Sequence, residues 1–274
     1  MIGQYYSLIH SMGSGASAID ADAQAFITNA GITDTTQKSA INTLVTDLKG
    51  YGIWTKLKAI YPFVGGTASS HKFNLKDPRD LDVAFRLVFN GGWTHSSTGA
   101  LPNGVNAFAY TKIIPSTVQT LNSNGLGFYA GTLNTSTSSD PVHMGVFNSV
   151  TQASTMLVNK ANTNINSRLN GTIVTSSTIN ALGLISSQKT SSTLTTLYKN
   201  STNVGTGNSG GTLPIVEIAI GNISADPSTF YIYGNGWTNS ELRTSYVSDG
   251  LDSTEMINFY TAVQAYQTTL GRQV

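Results

Sequence analysis

Hydrophobic spacing changes character twice between Ala18 and Val274. From Ala18 to Val64 apolar residues recur at helical intervals. Ala23, Phe26, Ile27 and Ala30 line one face behind a cap at Asp20 or Asp22. Ala40, Ile41, Leu44, Val45 and Leu48 line another behind a cap at Asp34 or Thr35. Gly31 stops the first helix, and Gly50 with Gly52 stops the second. A third helical piece is expected over Ile53 to Tyr61, carrying Trp54, Leu57, Ala59 and Ile60, with Pro62 closing it. These stripes are narrow, so they require something broader to pack against.

From Gly65 to Tyr246 the helical rhythm disappears, and short β-branched and aromatic runs alternate with Gly, Asn, Ser and Pro. Strands are predicted over 84–89, 107–113, 127–133, 144–148, 154–158, 164–169, 172–174, 183–187, 194–199, 216–220 and 230–233. Strands this close together, with no helix between them, point to a sandwich or jelly roll and away from a βαβ fold. The run 194–199 alternates ahead of a turn at 200–205 and reads as a hairpin strand with one wet face. Beyond it, Asp252-Ser253-Thr254-Glu255 forms a capping box for a helix over 252–270, with Met256, Phe259, Tyr260, Val263 and Tyr266 on one face.

Ahead of the helices lies an apolar arm with Ile2, Tyr5, Tyr6, Leu8, Ile9 and Met12, cut loose by a Gly-Ser-Gly-Ala-Ser joint at 13–17. Such an arm either folds back on its own domain or docks on a neighbouring subunit. The organisation is then an arm and joint (1–17), a helical segment (18–64), and a mainly β domain (65–274) that includes the last helix.

Composition narrows the function. Thr, Ser, Asn and Gly make up 117 of 274 residues, while charged residues are 11% and the formal net charge is +1. The surface is wetted by hydroxyls and amides and carries no long-range field. Basic residues are scattered singly, which argues against nucleic acid. No apolar run is long enough for membrane insertion, and the first residues lack the charged n-region of a signal peptide. Cysteine is absent, excluding disulfides, thiolate metal sites and a Cys nucleophile.

Candidate chemistry is sparse. A glycosidase needs two carboxylates across a cleft, and the glutamates are Glu217, Glu241 and Glu255, the last already used in the capping box. Glu217 reads as a rim or interface residue, with a catalytic role as the alternative. His10, His71, His95 and His143 are far apart in sequence and form no zinc motif. Gly-x-Ser-x-Gly is nowhere complete, and the glycines of 205–211 form a flexible hairpin tip. Asp77, Asp80 and Asp82 offer hard oxygens for calcium, but Lys76 and Arg79 stand among them, and ion pairing or capping is the simpler explanation. No cofactor is expected. Glycan contact remains, since Trp93 with His95, and Trp237 with Asn235 and Asn239, combine an aromatic face with amide or imidazole partners. The competing reading makes these tryptophans core plugs or interface anchors.

Two sets of residues carry a resemblance. Phe230-Tyr231-Ile232-Tyr233 followed by Gly250 to Met256 resembles the ending of a concanavalin A-like or laminin-G-like jelly roll, and Leu197 to Asn200 with Val204-Gly205 is similar to that family's Tyr-x-Asn-Gly hairpin, with the glycine displaced. The runs 46–66, 91–104 and 262–272 resemble a module of tailed-phage structural proteins, including those of crAss-like phages. The resemblance implies a concanavalin A-like antiparallel β-sandwich and no catalytic residues. It further implies a virion component, assembled in the bacterial host cytoplasm as a homo-oligomer with other virion proteins. The expectation is therefore a non-enzymatic structural protein, with Ile2 to Met12 as its assembly arm. The alternative is an adhesin of a phage fibre that binds bacterial surface glycan.

Overall fold

The structure, a computed structural model, describes residues 18–138, 141–148, 154–160, 164–177, 180–208, 210–225, 231–232 and 236–274, with the backbone alone at 154–160 and 231–232. It is a β-sandwich with a helical layer on one side. Among the described residues the first sheet runs Thr202–Asn208, Leu194–Lys199, Gly183–Lys189, Asn124–Ala130, Leu242–Ser248, Ala100–Pro102, Trp93–His95. Leu57–Tyr61 also pairs with Leu242–Ser248. The second sheet runs Val174–Ser176, Asn164–Leu169, Ser154–Lys160, Val142–Phe147, Ala219–Ile220, Phe108–Tyr110, Val88–Asn90. Pairing is antiparallel except where Ile223–Ala225 lies parallel to Val142–Phe147.

Two cores follow from the layering. Leu126, Phe128, Met144, Val146, Ile165, Leu169, Ile185, Leu197 and Val247 close the space between the sheets. The other face of the first sheet presents Tyr129, Leu184, Tyr198 and Tyr246 to three helices, Ala21–Asn29, Thr35–Gly50 and Ser253–Thr269. Asp20 and Asp34 are the N-caps of the first two helices. Asp252 caps the third, with Glu255 completing the capping box. Met256, Phe259, Val263 and Tyr266 are buried there, each contributing roughly 1.5–3 kcal/mol relative to an exposed position.

Several elements differ from expectation. The Ile53–Tyr61 piece is a single 3-10 turn, Trp54–Lys56, followed by the strand Leu57–Tyr61. The strand is buried on both faces, so its apolar residues carry no alternation to separate them from a helix. The expected strand 84–89 begins with the 3-10 turn Asp82–Ala84 and contributes Val88–Asn90 only. The hairpin turn after 199 is confined to 200–201, and Gly205 and Gly207, expected at a flexible tip, lie in the return strand Thr202–Asn208. Leu242–Ser248, central to the first sheet, was absent from the predicted strands.

Candidate functional site

The helices cover one outer face of the sandwich, and the other carries the candidate surface. On Phe108–Tyr110 the side chain of Ala109 turns into the core, so Phe108 and Tyr110 point outward and are half-buried. The Phe108 and Tyr110 rings meet edge to face with centroids 5.1 Å apart. Trp237, arriving from the 236–241 segment, approaches Phe108 at 6.4 Å. Its loop is held by a hydrogen bond from Ser136 Oγ to the Trp237 carbonyl, 2.7 Å. At the other end of the row the Lys112 ammonium lies 5.2 Å over the Tyr110 ring.

Lys112 owes its place to a bulge. Thr111 donates to the Ile218 carbonyl at 3.0 Å, and Ile218 donates to that of Ile113 at 2.9 Å, leaving Lys112 looped out at φ 62°. The loop turns the Lys112 N–H onto Glu217 Oε2 at 3.1 Å and its ammonium toward Oε1 at 3.5 Å. Burial raises the Glu217 carboxyl above the usual carboxylate range, an effect that Lys112 opposes. The ion pair stands at a cleft of about 550 Å³ walled by Val83, Phe85, Ile114, Val118, Ile215 and Val216, with Asp82 and Thr117 also on the lining. Phe85 too is left-handed, at φ 60°. Two non-glycine residues in this sparsely occupied region on one cleft mark a surface whose shape is imposed by its surroundings.

No family model and no curated protein matches the chain. Solved structures do. The binding domain of botulinum neurotoxin serotype C1 superposes with a TM-score of 0.50 at 12% identity, over 77% of this chain and 53% of that one. The serotype D binding domain matches at TM-score 0.49 and 10% identity, over 77% and 52%. Domain 4 of the extracellular arabinanase AbnA from Geobacillus stearothermophilus, solved with arabinotriose, matches at TM-score 0.41 and 12% identity, over 74% of this chain and 98% of that one. The chain thus spans about half the length of the toxin domains it matches. At such identity the serotype C1 likeness shows the β-sandwich fold and nothing finer. None of these matches concerns a phage virion.

The five glycan candidates separate. Trp93 is a packing piece: its Nε1–H donates to the carbonyls of Asn90 and Phe108 at 3.0 and 3.2 Å, and its ring packs against the inter-sheet core. His95 faces inward, with its ring 4.7 Å from Phe89 and Nδ1 2.9 Å from Nδ1 of His71. Asn239 spends its amide on Thr135, accepting from the backbone N–H at 2.7 Å and donating to Oγ1 at 2.9 Å. Asn235 and the arm residues Ile2 to Met12 lie outside the described residues. Of the four described candidates, Trp237 is the one whose half-buried ring adjoins the outward-pointing Phe108. Phe108, Tyr110 and Lys112 were missed, although their alternation with Ala109 and Thr111 inside the predicted strand already placed them on one face.

The remaining candidates are structural. Asp77 pairs with Arg79, Asp80 with Lys72 and Arg86, and Asp82 with Arg86, so the proposed calcium ligands are occupied by cations. Among the described residues no three His, Asp or Glu side chains are grouped to hold a metal ion. His71 and His95, distant in sequence, are adjacent in space.

Proposed function

We propose that this chain is a glycan-binding module whose binding surface is the row Trp237, Phe108, Tyr110 and Lys112. The observation that carries the reading is the continuity of that row: three half-buried rings, Phe108 adjoining both Trp237 and Tyr110, ending at a Lys112–Glu217 ion pair. The weakly polar C–H face of a pyranose or furanose stacks on such rings. Its hydroxyls find a donor in the ammonium and an acceptor in the carboxylate. The serotype C1 toxin domain that shares the fold is itself named a binding domain, but the argument rests on the row. On a phage particle, the setting implied by the sequence resemblance, this surface would be that of a fibre or head adhesin meeting bacterial surface glycan.

The test is binding of the intact chain to an array of bacterial surface polysaccharides. We expect Trp237→Ala to weaken capture at least tenfold without a change in melting temperature. Trp93→Ala, which removes a packing piece, should lower the melting temperature instead. Failure of the wild-type chain to bind any glycan, or retention of binding in a Trp237→Ala, Phe108→Ala double variant, overturns the reading.

A further inference from the structure

The ion pair that ends the aromatic row also opens onto the neighbouring cleft. Lys112 belongs to both, with its ammonium 5.2 Å over the Tyr110 ring and 3.5 Å from Glu217 Oε1. A saccharide laid along the row therefore has its end unit at the cleft mouth. The cleft volume of about 550 Å³ lies in the range of formed ligand pockets, about 300–1,000 Å³, and leaves room for a sugar unit with a substituent. Its lining is mixed: apolar side chains such as Val83, Val118 and Ile215 alternate with Asp82, Lys112, Thr117 and Glu217.

The four polar side chains are not equally available. Asp82 Oδ1 accepts from Arg86 Nε at 2.8 Å, and Thr117 Oγ1 donates to the Ile114 carbonyl at 2.8 Å. Glu217 Oε2 is taken by the Lys112 backbone N–H at 3.1 Å. Two groups remain open to a ligand. Glu217 Oε1 is an acceptor, and the Lys112 ammonium, whose contact with Oε1 is long, has N–H donors to spare. One donor beside one acceptor among apolar walls matches a secondary amide that carries a methyl group. A hydroxyl turned toward those walls would lose its partners. An ammonium would meet no unbalanced charge, since Glu217 already faces Lys112 and Asp82 faces Arg86.

We propose that this cleft selects N-acetylated amino sugars. The acetamido carbonyl accepts from Lys112 Nζ, its N–H donates to Glu217 Oε1, and its methyl packs on the apolar wall. Glu217 is only 6% exposed, so that hydrogen bond forms away from water, where it is stronger and costly to leave unmade. This inference rests on the glycan reading above and names the class of sugar that it takes.

The experiment titrates the intact chain calorimetrically with three β-1,4-linked tetrasaccharides that differ only at C2, built from N-acetylglucosamine, glucosamine or glucose. The expected Kd for the acetylated ligand is at least tenfold lower than for the other two. Equal affinity for the acetylated and glucose ligands, tightest binding of the free amine, or no binding of the acetylated ligand would overturn the proposal. Glu217→Gln retains an acceptor for the Lys112 N–H but turns an amide donor toward the ligand, and should bring the acetylated and glucose ligands within about twofold of each other. Ile215→Ser, at an exposed wall position, should cut the preference at least threefold. A preference left intact by either substitution would also overturn it. Trp237→Ala should weaken both of those ligands by the same factor. Undiminished binding in that variant would count against the aromatic row, whereas Trp237-dependent binding without a preference for the acetylated ligand would count against the cleft alone.

Discussion

Individual side chains in this protein are asked to be neutral. His143 is fully enclosed, with Nε2 2.9 Å from Ser240 Oγ and its ring stacked 4.5 Å from Phe128. Burial holds its pKa at about 3, against an ordinary 6.5. His71 is held at about 3 as well, by burial first and then by the neighbouring His95 and Arg272. The unfolded chain therefore takes up protons near pH 6.5 that the folded chain refuses. This contribution to stability is complete above pH 6.5 and is lost as pH falls toward 3. At pH 4 the loss is about 3 kcal/mol per imidazole. Urea midpoints should drop between pH 7 and pH 4, and His143→Gln should flatten that dependence.

Lys189 makes the same point with a stronger base. Its ammonium is inaccessible, has no hydrogen-bond partner among the described residues, and is pushed to lower pKa by burial. Arg272 shows how a buried cation is otherwise accommodated, donating to the carbonyls of Pro62, Phe63, Ser97, Thr98 and Arg243. Replacing Lys189 by an apolar residue of similar length removes a desolvated group without leaving a partner stranded. Lys189→Met should stabilise the fold by about 1–3 kcal/mol, read as a higher urea midpoint with an unchanged slope.

Among elements, legibility tracked whether one face meets water. Asn164–Leu169 and Leu194–Lys199 were found to the residue because they alternate between buried and more open positions. The caps at Asp20, Asp34 and Asp252 were equally readable, since a helix start demands a particular side chain. Leu242–Ser248 was not, because its enclosed positions include Thr244, Ser245 and Ser248. There Gln267 donates to Thr244 Oγ1 at 2.9 Å, so a helix side chain does work that sequence patterns assign to water. The proposed row is half legible: the strand and Trp237 are in view, whereas the pairing of Lys112 with Glu217 depends on a bulge and a chain separation of 105 residues. A capping box on an exposed helix start predicts a bounded effect, so Asp252→Ala should cost about 1 kcal/mol by chemical denaturation.

At the scale of the whole molecule, layering decides what is left for recognition. Helices occupy one outer face of the sandwich, and the opposite sheet offers Phe108, Tyr110 and Trp237 beside a cleft whose lining mixes apolar side chains with Asp82, Lys112, Thr117 and Glu217. With 11% charged residues and a net charge of +1, the protein projects little field into solution. Among the described residues its charges are largely taken up in contact ion pairs, such as Lys49 with Asp20 and Lys58 with Asp249. Ring stacking and hydroxyl hydrogen bonds act at contact distance and are insensitive to a Debye length that shrinks from about 14 Å at 50 mM to about 4 Å at 500 mM salt. A neutral glycan on the row should therefore show a Kd that changes less than about twofold across that range, measured by titration calorimetry. The same titration with an anionic polysaccharide separates the parts: any weakening with salt must come through Lys112, and Lys112→Gln should abolish it while leaving neutral binding in place. A steep salt dependence that survives this substitution would mean that a charged surface other than the aromatic row is responsible for capture.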